Sequence, residues 1–331
     1  MEHTGKFLEV KDLSVQYVTK EETVYAVNGI SFQLEKGSTL GLVGETGAGK
    51  TTIARVILGI LPVPPAEIHG GEIFLEGKDI LKMSEKEMRD VRGNKISMIF
   101  QDPMTALNPV MTIGRQIEEV IEIHENIGKA EARKRAEDML ELVGIPAERY
   151  IEYPHQFSGG MKQRVVIAMA LACNPDLLLA DEPTTALDVT IQAQVLDLMK
   201  ELHEKKNTSM ILITHDLGVV AEMCDHVAVV YAGEILEMGT LEDIFDRPSH
   251  PYTEGLFRAV PNINSDEDVL HPIHGLTPNP ADLPSGCKFH PRCEFCTEEC
   301  KHDHPELIEI EPGHYCRCPK WKGGETEWEK H

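Results

Sequence analysis

A glycine-rich segment in the first sixth of the chain carries the clearest chemical signal. It fits the pattern G-x-x-x-x-G-K-[ST] and consists of Gly44, Glu45, Thr46, Gly47, Ala48, Gly49, Lys50, Thr51 and Thr52. Glycines at these positions let backbone N–H groups approach phosphate oxygens closely. Lys50 is expected to reach the β- and γ-phosphates of a nucleotide, and Thr51 to offer its hydroxyl to Mg²⁺. The segment, called the phosphate loop below, predicts a nucleoside triphosphate site.

A second signal lies at the end of an apolar run far downstream. Leu177–Ala180 reads as a fully buried strand, and Asp181 and Glu182 follow it directly. Asp181 is predicted to hold the Mg²⁺ shell through water, because Mg²⁺ keeps several of its waters when bound. Two adjacent acidic residues directly after a buried strand are poorly explained as ordinary surface carboxylates. The pair therefore predicts the metal side of the same site.

A third signal is a second glycine-rich element, which precedes the acidic strand. Ser158 stands where a helix N-cap is expected, and Gly159 and Gly160 expose backbone N–H groups at the start of that helix. A helix start of this kind binds anions, because its N–H groups and its dipole both favour negative charge. The element is far in sequence from the phosphate loop. Its basic continuation, Lys162-Gln163-Arg164, is not explained by an ordinary capped helix.

This order of elements resembles that of the ABC-type ATPases, whose members close two nucleotide domains face to face around ATP. The resemblance covers most of residues 8–240. It implies that Glu182 is the catalytic base that polarises the attacking water, and that Gln101 senses Mg²⁺ and this water. It also implies that His215 contacts the γ-phosphate. Tyr17 resembles the aromatic residue that stacks on adenine, and Tyr25 remains a rival for that role.

The same resemblance implies that the active site needs two subunits. Ser158, Gly159, Gly160 and Met161 would bind the γ-phosphate held by the opposite subunit, although Phe157 and Met161 stand where the commonest family pattern has Leu and Gln. Ala186-Leu187-Asp188 resembles the loop that crosses between the two subunits, and Asp188 is expected at the nucleotide. Only one nucleotide domain fits in this chain, so we expect a dimer with itself or with a related chain.

Three further segments resemble a subfamily, the dipeptide and oligopeptide importer ATPases: Met104–Gly114, His250–Thr253 and Pro284–Cys293. The first of them corresponds to the region that faces the transmembrane subunits in ABC transporters. The resemblance implies two transmembrane permease subunits and, indirectly, an extracytoplasmic peptide-binding protein. Nickel importer ATPases are close relatives, so nickel is an alternative substrate. A soluble ABC ATPase of iron–sulfur assembly or ribosome function is an alternative from another class.

Eight cysteines are present, and six of them fall between Cys287 and Cys318. In a reducing compartment such a group indicates a metal or cluster site more than a disulfide framework. In peptide-importer relatives a similar set resembles the ligands of a 4Fe-4S cluster, here Cys287, Cys293, Cys300 and Cys318. Cys296, Cys316 and four nearby histidines depart from that set, so a zinc site and bare thiols remain as alternatives.

Composition limits the partners and the location. The formal net charge of −23 makes nucleic acid an unlikely main partner, because a polyanion would be repelled. Hydrophobic residues make up 41% of the chain, yet no apolar run approaches the ~20 residues that cross a bilayer. We expect a peripheral protein on the cytoplasmic face of the membrane, held there by a partner.

The elements that must position these residues alternate between apolar strands and helices. That alternation predicts a parallel sheet covered on both faces. The predicted fold class is α/β: a P-loop ABC-type ATPase domain with a RecA-like parallel-sheet core, an antiparallel β subdomain, a helical subdomain and a C-terminal cysteine-rich extension. The nucleotide domain is predicted to span residues 1–240, with the helical subdomain at about 103–172, and the extension residues 241–331. Prolines and histidines become frequent after about Gly239, and Pro248–Pro284 shows little periodicity.

Overall fold

The computed structural model describes residues 6–184, 187–259 and 272–321. Within these ranges the strands are β1 Leu8–Val18, β2 Thr23–Leu34, β3 Thr39–Val43, β4 Ala66–Leu75, β5 Lys78–Asp79, β6 Ile96–Ile99, β7 Leu177–Asp181, β8 Ser209–Thr214, β9 His226–Tyr231, β10 Glu234–Thr240, β11 Ile308–Glu311 and β12 His314–Cys316. The α-helices are α1 Lys50–Ile57, α2 Glu85–Val91, α3 Pro103–Ala106, α4 Ile113–His124, α5 Lys129–Leu142, α6 Gly159–Leu171, α7 Val189–Lys206, α8 Leu217–Met223, α9 Leu241–Asp246, α10 Pro251–Arg258 and α11 Glu298–His302.

The described residues form a central sheet in the strand order β11-β12-β10-β9-β3-β8-β7-β6. Its strands from β9 to β6 are parallel. Every residue of β3, β6, β7 and β8 is buried. Along β7, Leu177 and Leu179 pack into one apolar cluster while Leu178 and Ala180 pack into another, because successive side chains point to opposite faces. The predicted parallel sheet with two covered faces is confirmed.

An antiparallel sheet in the order β2-β1-β4-β5 covers one face of the central sheet. Its long strands β1 and β2 alternate between buried and exposed positions over much of their length, as strands with one wet face do. The predicted closing hairpin is also present, since β9 and β10 pair antiparallel on either side of Ala232 and Gly233. The parallel part of the central sheet therefore passes into an antiparallel edge.

The opposite face of the central sheet is covered by helices, including the predicted helical subdomain. In α4, Ile113, Ile117 and Ile121 recur at intervals of four residues, and each is fully buried. Gly114 allows α4 to approach Tyr150, because a Cβ at this position would lie 1.9 Å from the tyrosine ring. None of the described helices is long and apolar enough to cross a membrane.

The segment after residue 240 packs onto the core and extends its sheet. Strand β12 pairs with β10, and Cys287, Phe289 and Cys300 belong to the same apolar cluster as the helices. Within Pro248–Pro284, whose sequence shows little periodicity, Pro251–Arg258 forms α10. The His250 side chain caps this helix by accepting a hydrogen bond from the Tyr252 N–H, and a proline at the first helical position suits a helix start.

A buried carboxylate fastens this segment to β10. Glu237 is fully buried and accepts hydrogen bonds from the N–H groups of Ser249 at 2.6 Å and His250 at 2.9 Å. His314 Nε2 lies 2.8 Å from the same carboxylate. A buried charge of this kind is tolerated because several groups satisfy its oxygens. The domain boundary near residue 240 stays a prediction.

Candidate functional site

The phosphate loop connects the end of β3 to the start of α1. Gly49 is the residue before α1 and has φ of 99°, a conformation that glycine adopts without strain. A Cβ on Gly49 would lie 2.2 Å from the carbonyl oxygen of Ala26, so no larger residue fits there. Thr46 and Gly47 at the tip of the loop are exposed, and Ala48 is buried. The loop thus presents its backbone at the surface while its base is fixed by β2.

Lys50 occupies the first turn of α1, and its side chain turns back over the loop. Its Nζ donates hydrogen bonds to the carbonyl oxygens of Gly44 at 2.6 Å and Glu45 at 2.9 Å. Burial lowers the pKa of Lys50, whereas the charges of Glu182, Asp181 and Glu45 act to raise it. A polyphosphate in the loop would add negative charge and favour the protonated amine.

The acidic strand end meets the loop where the metal ligands are expected. Thr51 Oγ1 donates to Asp181 Oδ1 at 3.1 Å. Asp181 is 3% exposed; burial raises its pKa, and the hydrogen bond from Thr51 opposes that rise. A divalent cation between this hydroxyl and carboxylate would favour the charged carboxylate. These two residues could therefore hold Mg²⁺, as the sequence predicted.

Glu182 is oriented by two neighbouring side chains. Gln101 Nε2 donates to its Oε2 at 2.7 Å, and His215 Nδ1 lies 3.0 Å from its Oε1. The backbone of Glu182 has φ of 46°, an uncommon conformation for a residue with a side chain and one found disproportionately at functional sites. The structure thus brings together the three residues predicted to be catalytic, each of which follows a different parallel strand.

Tyr17 and Tyr25, the two candidates for stacking on adenine, lie in β1 and β2. The Tyr17 hydroxyl is 3.2 Å from Thr52 Oγ1, which links it to the first turn of α1. Tyr25 has 38% of its surface exposed, and its N–H donates to the carbonyl oxygen of Pro280 at 2.9 Å. Tyr17 therefore contacts the phosphate loop, whereas the contact of Tyr25 is with the extension, and the choice between them remains open.

The Ser-Gly-Gly element begins α6, and the main contacts of this helix are with other helices and with β6. Ser158 is its N-cap, as predicted, with a side chain that accepts a 3.4 Å hydrogen bond from Met161 N–H. A Cβ on Gly159 would meet open space, whereas one on Gly160 would lie 2.4 Å from Ile191. The first glycine therefore faces outward, and the second permits α6 to pack against α7.

The segment predicted to cross between subunits is described only in part. Ala186 lies outside the described residues, and Asp188 is the N-cap of α7. The Asp188 carboxylate accepts a 3.0 Å hydrogen bond from Ile191 N–H. Val189, which follows it, is 84% exposed. The element therefore presents an acidic cap and an apolar side chain at the surface.

Sequence reasoning missed two residues that touch the phosphate loop. Arg292 donates to both carboxylate oxygens of Glu45, at 2.6 and 3.0 Å. The Tyr252 hydroxyl accepts a 3.0 Å hydrogen bond from Glu45 N–H. Both residues lie in segments whose only signal in the sequence is their resemblance to the dipeptide and oligopeptide importer ATPases. They are more than 200 positions from Glu45, so no local pattern could have revealed the contact.

The six cysteines between Cys287 and Cys318 separate into two groups. Cys287, Cys293, Cys300 and Cys318 line one small cavity, which Cys296 and Cys316 do not. Burial raises the pKa of Cys287 and Cys318 to about 11 and that of Cys293 to about 12. Among the described residues, no three of these four sulfur atoms lie within 4.8 Å of one another. In a zinc tetrahedron with ~2.3 Å bonds, sulfur atoms are ~3.8 Å apart.

Comparison with known proteins agrees with this geometry. The chain matches the family model described as ABC transporter over residues 27–185, and that described as oligopeptide/dipeptide transporter, C-terminal region, over residues 236–300. Among solved structures it is similar to the ATP-binding cassette MJ0796, in a dimeric post-hydrolysis state with ADP and phosphate. The TM-score is 0.64 at 28% identity, over 71% of this chain and 98% of that one. The fold and site define an ABC-type ATPase, for which ATP and Mg²⁺ are expected.

Relatives that align over nearly the whole chain show to which family of ABC-type ATPases it belongs. The oligopeptide transport ATP-binding protein OppD of Bacillus subtilis is 52% identical, over 94% of this chain and 88% of that protein. The dipeptide transport ATP-binding protein DppD of the same organism is 51% identical, over 95% and 94%. This chain belongs to the family of oligopeptide and dipeptide ABC transporter ATP-binding proteins. The comparisons favour neither the soluble ABC ATPase alternative nor the nickel alternative.

Proposed function

We propose that this ATPase powers the import of di- or oligopeptides from the cytoplasmic face of the membrane, bound to two permease subunits. One observation carries the proposal: relatives named for peptide transport are about half identical over nearly the whole chain, extension included. A permease-bound subunit has no need of a membrane span of its own. The peptide would be delivered by an extracytoplasmic binding protein, and this subunit would not touch it.

Each site residue would have its own role in ATP hydrolysis. Lys50 and the backbone N–H groups of the loop would hold the phosphates, while Thr51 and Asp181 would hold Mg²⁺, which when bound would neutralise charge on the phosphate oxygens. Glu182 orients the attacking water and accepts its proton. Gln101 and His215 fix the Glu182 carboxylate, and His215 would contact the γ-phosphate as well. Either tyrosine of the β1–β2 region supports adenine.

Closure would bring two such subunits together. Ser158, Gly159, Gly160 and Met161 of one subunit would face the γ-phosphate held by Lys50 of the other, with Asp188 at the crossing point. Two observations support this arrangement. Gly159 faces open space at a helix start, and the matched cassette MJ0796 is described as dimeric. The partner is a second copy or a related ATPase chain.

A groove between the helical subdomain and the central sheet suits the permease. It is lined in part by Met98, Phe100, Val120 and Met169, and Phe100 is 39% exposed. The adjoining segment 104–114 is the one that resembles the permease-facing region of ABC transporters. An apolar helix end from a permease subunit would cover this surface, and closure of the ATPase pair would move it.

We also propose that Cys287, Cys293, Cys300 and Cys318 hold a 4Fe-4S cluster. Their common cavity supports this set, and sulfur atoms spaced more widely than a zinc tetrahedron suit a larger group. Two of the four nearby histidines are engaged elsewhere, with His304 2.9 Å from Glu234 and His314 2.8 Å from Glu237, whereas His290 lines the same cavity as the cysteines. When bound, the cluster would cross-link the extension, as metals do in small domains.

Alanine at any of these four cysteines is expected to release iron and to lower the unfolding temperature of the extension, while the phosphate loop still binds ATP. Alanine at Cys296 should leave the metal in place and serves as the matched control. Protein purified without air is expected to be brown and to contain iron and acid-labile sulfide. Zinc at one per chain without iron would contradict the cluster, and metal loss from Cys296→Ala would show that the ligand set is wrong.

The substrate class is tested on the assembled transporter. The chain is expected to co-purify with permease subunits, and its ATPase activity should rise when the cognate binding protein is added with peptide. Mass spectrometry of ligands released from that binding protein should identify peptides. Bound nickel and no peptide would contradict the substrate, and a chain that never co-purifies with permeases would contradict the transport role.

A further inference from the structure

Arg292 lies in the cysteine-rich segment, next to Cys293, yet its side chain ends at the phosphate loop. The Arg292 side chain is 5% exposed, and its two terminal nitrogens, Nη1 and Nη2, donate to the two carboxylate oxygens of Glu45 at 2.6 and 3.0 Å. Nε donates to the carbonyl oxygen of His274 at 3.1 Å, which fixes the plane of the group. A bidentate pair of this kind, with its arginine buried and its carboxylate partly exposed, is directional as well as strong.

Glu45 is the point where the loop meets the extension. Its carbonyl oxygen accepts from Lys50 Nζ at 2.9 Å, and its N–H donates to the Tyr252 hydroxyl at 3.0 Å. The carboxylate is near enough to Lys50 to act on its charge. It is the acidic side chain within the loop itself, so an unpaired Glu45 would repel the polyphosphate that the loop must bind.

We propose that Arg292 is a positioning residue of the ATP site: it neutralises the Glu45 carboxylate and holds it away from the phosphates. The extension is therefore part of the nucleotide site and does more than cover the core. The proposal rests on the ATPase activity and does not depend on which metal the cysteines hold. It gives this extension, far away in sequence, a direct influence on ATP affinity.

The test is a charge-rescue cycle on the full chain, with ATP affinity measured by calorimetry in the presence of Mg²⁺. Arg292→Ala is expected to weaken ATP binding by about tenfold, the effect of ~1.4 kcal/mol. Glu45→Gln is the reference for the rescue, because its amide oxygen still accepts from Arg292; adding Arg292→Ala to it should weaken ATP binding by less than about threefold. The double variant should recover most of the affinity, because no carboxylate remains to repel the nucleotide.

The double variant distinguishes an electrostatic effect of Arg292→Ala from an effect on the packing of the extension. If Arg292→Ala acted by disturbing the extension, removing the Glu45 charge would not restore binding, and the double variant would stay as weak as Arg292→Ala. That result would overturn the proposal, as would an Arg292→Ala affinity within twofold of the original. In the assembled complex the KM for ATP should rise for Arg292→Ala, with kcat changed by less than about threefold.

Arg258→Ala is the matched control. Arg258 also lies in the extension, but it is half exposed and its ion pairs with Glu254 and Glu294 are both 3.7 Å long. Its removal is expected to leave ATP affinity unchanged. Equal weakening by Arg258→Ala and Arg292→Ala would show a general effect of extension charge, and the proposal would fail.

Discussion

Glu182→Gln is expected to reduce ATP turnover by on the order of 10²-fold or more while ATP binding is retained. The amide has the shape of the carboxylate and can still bond to Gln101 or His215, so the fold of the site should survive. It cannot accept the proton of the attacking water, so the chemical step should fail. Turnover and ATP affinity are measured on the subunit assembled with its partners.

A carboxylate elsewhere on the surface supplies the control for this variant. Glu204→Gln removes an exposed charge from the last turn of α7 and should leave turnover unchanged. The Glu182→Gln subunit should also accumulate in the closed, ATP-bound dimer, because closure precedes hydrolysis. Turnover at the original rate in Glu182→Gln would remove this residue from the role of catalytic base.

Gly159→Asp is expected to abolish closure and to lower turnover by on the order of 10²-fold, the scale of losing a group that stabilises charge in the transition state. An aspartate at this helix start would place negative charge against the γ-phosphate of the opposite subunit. A side chain fits here because Gly159 faces open space, whereas at Gly160 it would strike Ile191. ATP should still bind to the loop of the same chain.

Gly128→Asp is the matched control for that variant. Gly128 precedes α5, and a Cβ there also meets nothing within 4 Å. Closure is measured as an ATP-dependent change in the light scattering or the size-exclusion elution of the assembled subunits. Normal closure in Gly159→Asp would contradict the face-to-face arrangement, and equal loss in Gly128→Asp would point to a general effect of added charge.

Much of the nucleotide site was predictable because its determinants are local. A buried strand followed by Gly44–Thr52, and another followed by Asp181 and Glu182, place their side chains at the carboxyl ends of two parallel strands that lie on either side of β8. Such ends lie at the same edge of a sheet, so the meeting of Thr51 with Asp181 follows from the strand pattern alone. The N-cap at Ser158 is local in the same sense.

The extension was less predictable because its structure depends on contacts distant in sequence. The helix Pro251–Arg258 begins at a proline and is only eight residues long, and it is stabilised by its His250 cap and by packing on the core. The pairing of β12 with β10 and the contact of Arg292 with Glu45 have no local signature either. Here tertiary contacts outweigh the weak local preferences of the chain.

ATP-dependent peptide uptake into proteoliposomes tests the central claim most directly. The vesicles would contain the permease subunits and the ATPase pair, with the binding protein and a labelled peptide on the opposite side from ATP. Uptake should require ATP and Mg²⁺, should cease with Glu182→Gln and should continue with Glu204→Gln. Peptide uptake that proceeds unchanged with Glu182→Gln, or ATP hydrolysis by the complete assembly without any peptide uptake, would contradict the account.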